Sequence, residues 1–122
     1  MTRHPIHLAR AYDPPEVTEG ARLLIDRLWP RGVTRAALAP DAWLKAAAPS
    51  DELRRWLHAD PSRWEDFVVK YRAELDSGNG AEECLDWCRR GPVVLLYAAR
   101  DRERNHAMVL RDWLTERLEE EA

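Results

Sequence analysis

At 122 residues, with 45% hydrophobic and 34% charged side chains, the chain is sized for one domain with a single core and is too apolar to be a disordered segment. Its net charge of -3 argues against nucleic acid or an anionic lipid surface as the main partner. No run of about 18 apolar residues occurs, so no membrane span is expected, and the opening Met1 to Pro5 lacks the apolar segment of a secretory signal, which points to a cytoplasmic location.

The charge is unevenly spread. The first 58 residues carry nine Arg/Lys against seven Asp/Glu, and the remainder ten against fifteen, so a basic patch in the first half is compatible with the acidic total.

Ile6 to Tyr12 alternates apolar and polar residues and predicts a first strand, broken by Asp13-Pro-Pro15 because proline cannot donate to a ladder. Gly20 marks a turn. Arg22 to Asp26 predicts a second strand, running into Arg27-Leu-Trp-Pro-Arg-Gly32, where Pro30 and Gly32 end regular structure and leave a shaped loop. Thr34 is placed to cap a short helical turn through Leu38. Ala42 to Ala48, confined between prolines, is read as a third short strand.

Ser50 is a good N-cap, followed by Asp51 and Glu52 where the helix dipole favours acids. Leu53, Trp56 and Leu57 form that helix's apolar face, which ends near His58. Asp60-Pro61 signals a second helix start, after which Trp64, Phe67, Val68, Tyr71 and Leu75 recur at helical spacing. Ser77 to Gly80 separates it from a third helix, Ala81 to Arg90, stopped by Gly91-Pro92. On that helix Cys84 and Cys88 stand at i, i+4, where Cβ atoms sit about 5–6 Å apart, beyond the roughly 3.5–4.5 Å of a disulfide. They read as buried structural thiols.

Val93 to Tyr97 is a solid apolar block, the mark of a strand buried on both faces in a parallel sheet. Asp101, Asn105 and His106 follow at its carboxyl end. The last helix has Ala107, Leu110, Leu114 and Leu118 as its buried stripe, and its acidic tail, at the negative pole of the dipole, is expected to fray. The order strand, strand, strand, three helices, strand, helix predicts one small layered α/β domain over residues 1–122. Its sheet is mainly parallel, with about four strands flanked by helices.

In such sheets ligands bind beyond the strands' carboxyl ends, and the chemistry-bearing residues map there. Asp26, Arg27 and Arg31 cluster at the exit of the second strand, where guanidinium forks suit a phosphate or carboxylate, and Trp29 offers a flat face for a ring. The structural alternative is that Asp26 pairs with an arginine while Trp29 and Pro30 plug the core. His106, at a helix start, is a candidate for proton transfer with Asp26 or Asp101; equally, Asn105 caps the helix and His106 packs. His4, His7 and His58 read as surface or packing residues.

Tyr97 would present its hydroxyl to the cleft, or bury its ring. Ser50 and Arg54, one turn apart at a helix N-terminus, suit an anion, although capping alone explains Ser50. Glu74 with Tyr71 is read as a helix-packing pair. Dinucleotide and P-loop glycine motifs, a Gly-x-Ser-x-Gly elbow and metal-site spacing are all missing, so no metal is indicated and any cofactor is left unknown.

The run Leu24-Ile-Asp-Arg-Leu-Trp-Pro-Arg-Gly32 resembles the signature of the YeaO-like family, small bacterial proteins of unknown function. Trp43, Ala48-Pro-Ser50, Leu53-Arg54, Phe67, Tyr71, Glu74, Leu95-Leu-Tyr97 and Asn105-His-Ala107 extend the resemblance along nearly the whole chain. It implies a compact α/β fold and brings no activity, cofactor or partner.

Taken together, these residues predict a binder or enzyme for a small anionic, phosphate- or nucleotide-like ligand. Arg27, Arg31 and Arg54 would hold the anion, with Trp29 lining the pocket and His106, Asp26 and Asp101 handling a proton. The alternative is a non-catalytic interaction protein, with its six tryptophans forming a homodimer or partner surface.

Overall fold

The computed structural model describes residues 4–14, 19–78 and 80–121. Strand β4 (Val93–Tyr97), buried along its whole length, lies between β1 (Ile6–Arg10) and β2 (Ala21–Leu24), and β3 (Ala42–Trp43) adds to the far side of β2. All pairings are parallel, in the order β1-β4-β2-β3, with Leu95 registered against both Leu8 and Leu23. The ladder outlasts the strands: Ala11 donates to the Tyr97 carbonyl at 2.7 Å and Ile25 to that of Leu96 at 3.1 Å.

A parallel return from β3 to β4 needs a long crossover. It is supplied by α2 (Asp51–Ala59), α3 (Trp64–Ser77) and α4 (Gly80–Arg90). The two remaining helices are α1 (Arg35–Leu38), between β2 and β3, and α5 (His106–Glu121), after β4.

Because side chains alternate along a strand, the apolar block of β4 serves two cores. Val93, Leu95 and Tyr97 join Leu23 in the larger one, against Phe67, Leu75, Leu85, Leu110 and Leu114 of the helices. Val94 and Leu96 join Leu24 and Leu38 in a smaller one, closed by Trp29, Val33 and Trp43. Each of these fully buried branched side chains contributes about 1.5–3 kcal/mol relative to exposure. Thus α2 to α5 cover one face of the sheet and α1 with its loops the other.

Several elements differ from the sequence expectation. The stretch 42–48 is a strand only at Ala42–Trp43. After Leu44 donates to the Leu24 carbonyl at 2.8 Å, the chain winds into a 3-10 turn over Lys45–Ala47. Contacts from distant helices select that turn: the Tyr71 hydroxyl donates to the Ala47 carbonyl at 2.5 Å, and Gly80 lies so close to Ala46 that a Cβ there would collide with the Ala46 carbonyl.

The helix after Asp60 begins as a 3-10 turn, Pro61–Arg63, with Asp60 capping as expected. α5 runs through the acidic residues to Glu121, whose carboxylate is gripped by Arg89 of α4. Arg89 supplies the positive charge that the helix's own last turn lacks. Part of the predicted loop before Gly20, residues 15–18, lies outside the described residues.

The six tryptophans do not crowd the surface. Trp113 is buried and the other five are half-buried. Trp29 lies under Arg35, Trp43 under Lys45, Trp56 under Arg63 and Lys70, Trp87 under Arg90, and Trp113 under Arg117. Cations lying on their stems cover aromatic faces that one small core cannot enclose. Among the described residues no helix is long and apolar enough to cross a membrane.

Candidate functional site

The neighbours β2 and β4 send their chains to opposite faces of the sheet, β2 toward α1 and β4 toward α5. Adjacent parallel strands whose connections diverge in this way leave a crevice beyond their carboxyl ends, the usual ligand position in open α/β sheets. Here the crevice is a cavity of about 710 Å³ between the 26–31 loop, one side of α2 from Arg54 to His58, the start of α3 and the 98–106 segment.

Its floor is a carboxylate and an imidazole, each about one-seventh exposed. Asp26 lies two residues beyond the end of β2, and its Oδ2 accepts the Ala98 N–H at 2.9 Å, tying the exits of the two central strands together. Nε2 of His106, the first residue of α5, lies 2.8 Å from Asp26 Oδ1 and 3.0 Å from the Ile25 carbonyl oxygen. Both neighbours are acceptors, so Nε2 carries the proton and Nδ1 is the basic nitrogen. The Ile25 carbonyl and Asp26 Oδ1 compete for that single hydrogen, and Oδ1 is buried with no donor of its own.

The surrounding polar groups brace this floor. Asn105 is 2% exposed. It caps α5, with Oδ1 accepting the Met108 N–H and Nδ2 donating to the Asp101 carbonyl. Asp101 folds the turn before it, as Oδ1 accepts the Arg104 and Glu103 N–H groups. Those bonds, the one from Arg104 first, hold its carboxyl below the usual aspartate range. Trp43 Nε1 donates to the Asp26 carbonyl at 2.6 Å, and Trp29 Nε1 to that of Val33, also at 2.6 Å.

Arg27 donates from Nε to the Pro49 carbonyl at 2.7 Å, so its charge is oriented by a neutral acceptor and not cancelled by it. Arg54 reaches Asp51 at 3.5 Å through one terminal nitrogen, while its Nε is buried with no partner. Arg31, Arg100 and Arg104 are exposed along the rim. The apolar wall includes Trp64, stacked on Phe67 with ring centres 5.2 Å apart.

Of the residues singled out from sequence, Asp26, Arg27, Trp29, Arg31, Arg54, Asp101, Asn105 and His106 all line this cavity. Two stand apart. Tyr97 is 4% exposed within the larger core. Ser50 faces a smaller hollow of about 200 Å³ and is engaged by Glu74. Glu74 and Tyr71 hold backbone rather than forming an acid/base pair: Glu74 takes the Ser50 N–H and hydroxyl, and Tyr71 the Ala47 carbonyl.

Arg100, Arg104, Trp64 and two exposed apolar residues, Tyr12 (43% exposed) and Leu28 (64%), also line the cavity, and sequence reasoning passed them over. The signal for Arg100 and Arg104 was available: they flank Asp101 in the turn already singled out.

Comparison with known proteins sets this geometry in a family. A family model described as the inactive DUF488-N3 subclade matches residues 5–122. The chain is 42% identical over 110 residues to the uncharacterized protein YeaO of Escherichia coli strain K12, covering 89% of this chain and 96% of that one. It is 35% identical over 112 residues to the uncharacterized protein Rv3073c of Mycobacterium tuberculosis strain H37Rv, covering 92% and 95%. The same figures hold for the uncharacterized protein Mb3100c of Mycobacterium bovis. No solved structure matches significantly. With its signature loop forming one wall of the crevice and the match running through α5, the chain belongs to the YeaO-like family, within the inactive DUF488-N3 subclade.

Proposed function

We propose that the crevice binds a small phosphate-bearing anion, and that the protein is a binding module rather than an enzyme. One observation carries this reading: five arginines, Arg27, Arg31, Arg54, Arg100 and Arg104, line one cavity beside only two carboxylates, in a chain whose net charge is -3. Of the two, Asp101 is taken up by turn N–H groups and Asp26 by the Ala98 N–H. Low-dielectric walls focus such a field on an entering anion. The description of the matching family model as inactive favours binding over turnover. His106, with its proton held on Nε2 against Ile25 and Asp26, would then serve as an oriented polar contact.

Differential scanning fluorimetry with inorganic phosphate, pyrophosphate and nucleotides tests this reading, since a ligand at a hundred times its Kd stabilises by about 2.7 kcal/mol. A melting temperature unmoved by every anion at low salt rejects it. A second reading, a cleft closed by a partner protein or second copy, is favoured by Tyr12 and Leu28, which leave apolar surface at the cleft mouth. Light scattering that shows a dimer lost on Leu28→Ser substitution would support that reading.

A further inference from the structure

Among the described residues two buried side-chain polar atoms lack a hydrogen bond, Asp26 Oδ1 and Arg54 Nε, and both belong to residues lining the same cavity. Buried polar atoms are satisfied as a rule, so each such exception asks for a missing partner. The two ask for opposite things. Arg54 Nε–H is a donor and requires an acceptor oxygen, whereas Asp26 Oδ1 is an acceptor and requires a hydroxyl or N–H. His106 Nε2 stands 2.8 Å from Oδ1, but the Ile25 carbonyl at 3.0 Å competes for the same single hydrogen, so it meets that demand only in part.

A bare phosphate or sulfate meets only the first demand. The cavity adds a third feature, the stacked Trp64–Phe67 pair in its wall with leucine and proline around it. A flat ring stacked on such a wall gains about 1–3 kcal/mol in related settings. Its volume of about 710 Å³ exceeds what an inorganic anion fills.

We infer that the ligand is a nucleoside monophosphate: its phosphate meets Arg54 and the rim arginines, a ribose hydroxyl donates to Asp26 Oδ1, and its base lies on the Trp64 wall. This rests on the anion-binding reading above and narrows it to one ligand class.

Isothermal titration of the full chain with AMP, 2′,3′-dideoxy-AMP, ribose 5-phosphate and inorganic phosphate tests each demand separately. AMP is expected to bind tightest. Loss of the hydroxyl costs about tenfold, the usual worth of a hydrogen bond to a charged group. Asp26→Asn keeps an oxygen for the Ala98 N–H but turns the second position into a donor, so it should abolish the preference for AMP over the dideoxy compound. Arg54→Lys, which keeps the charge and lacks Nε–H, should weaken both equally, with circular dichroism confirming that each variant is folded. Equal affinity for AMP and its dideoxy analogue means that water alone satisfies Asp26, and overturns the inference. Ribose 5-phosphate or phosphate binding as tightly as AMP also overturns it, while leaving the anion-binding reading intact. Failure of all four probes removes both.

Discussion

Glu74 of α3 accepts both polar hydrogens of Ser50, the backbone N–H at 2.9 Å and the hydroxyl at 2.6 Å, while the Ser50 oxygen caps α2 by accepting the Leu53 N–H at 3.2 Å. One carboxylate thus joins the N-terminus of α2 to the last turn of α3, and so positions Arg54, one turn into α2, against the cleft. Its negative charge is also favourable beside a helix N-terminus.

Replacing Glu74 with Ala leaves the Ser50 N–H unpaired and should cost about 1–3 kcal/mol in urea denaturation. Ser50→Ala should cost about 1 kcal/mol through the lost cap. Because the two share one bond, the double variant should lose less than the sum of the singles. Strict additivity would show that the contact carries no stability.

Gly80→Ala should destabilise by about 1–3 kcal/mol, the range of overpacking in a tight site. The added methyl falls on the Ala46 carbonyl, which the backbone of α4 must move to avoid. Gly91→Ala meets nothing within 4 Å and serves as the control, expected within about 0.5 kcal/mol of the parent. An unchanged urea midpoint for Gly80→Ala would place the helix farther from the 45–47 turn than the structure has it.

Acid should unfold the protein from below the ordinary carboxylate range. Hydrogen bonds from Trp113 Nε1 and Arg117 hold the Asp76 carboxyl below its usual value, and Arg89 does the same for Glu121. Groups depressed in the folded state bind protons more readily in the unfolded chain, so their stabilisation is present above the unfolded pKa, about 4 for aspartate. It is lost as pH falls through the folded value. Urea midpoints should therefore hold level from neutrality to about pH 5 and drop below about 4. In Asp76→Asn that drop should be shallower; an identical acid limb would contradict the assignment.

Cys84 and Cys88 are free and buried on α4. The hydrogen bond between them, followed by burial, pushes the Cys84 thiol up, and the same bond lowers that of Cys88. Burial should dominate reactivity, since an attacking thiolate needs access. Under native conditions Ellman's reagent should modify neither at an appreciable rate, and both should react once urea unfolds the chain. Rapid native labelling of Cys88 would reveal an opening of α4 away from the core.

Local pattern reached far into the fold. The solid apolar block at Val93–Tyr97, the helical stripes through Phe67, Tyr71 and Leu110, and the caps at Thr34, Ser50 and Asp60 are each settled by neighbours within a few residues. Such features are legible without coordinates. The 42–48 stretch was not, because Tyr71 and Gly80 shape it across long separations. Nor was the end of α5, since the charge that steadies Glu121 stands on another helix.

The candidate site divides along the same line. The amino-acid order by itself determined which residues leave the sheet at strand ends, and hence that Asp26, Arg27, Arg31 and His106 belonged to one edge. Only the tertiary structure decided that β2 and β4 are neighbours with diverging exits, which sets His106 against Asp26 and opens a cavity between them. It also turned Tyr97 into core and Ser50 toward Glu74, and brought Arg100, Arg104 and Trp64 into the wall. The physical reason is range: hydrogen-bonded periodicity is fixed over a few residues, whereas a pocket is made by side chains whose only relation is the packing of the whole chain.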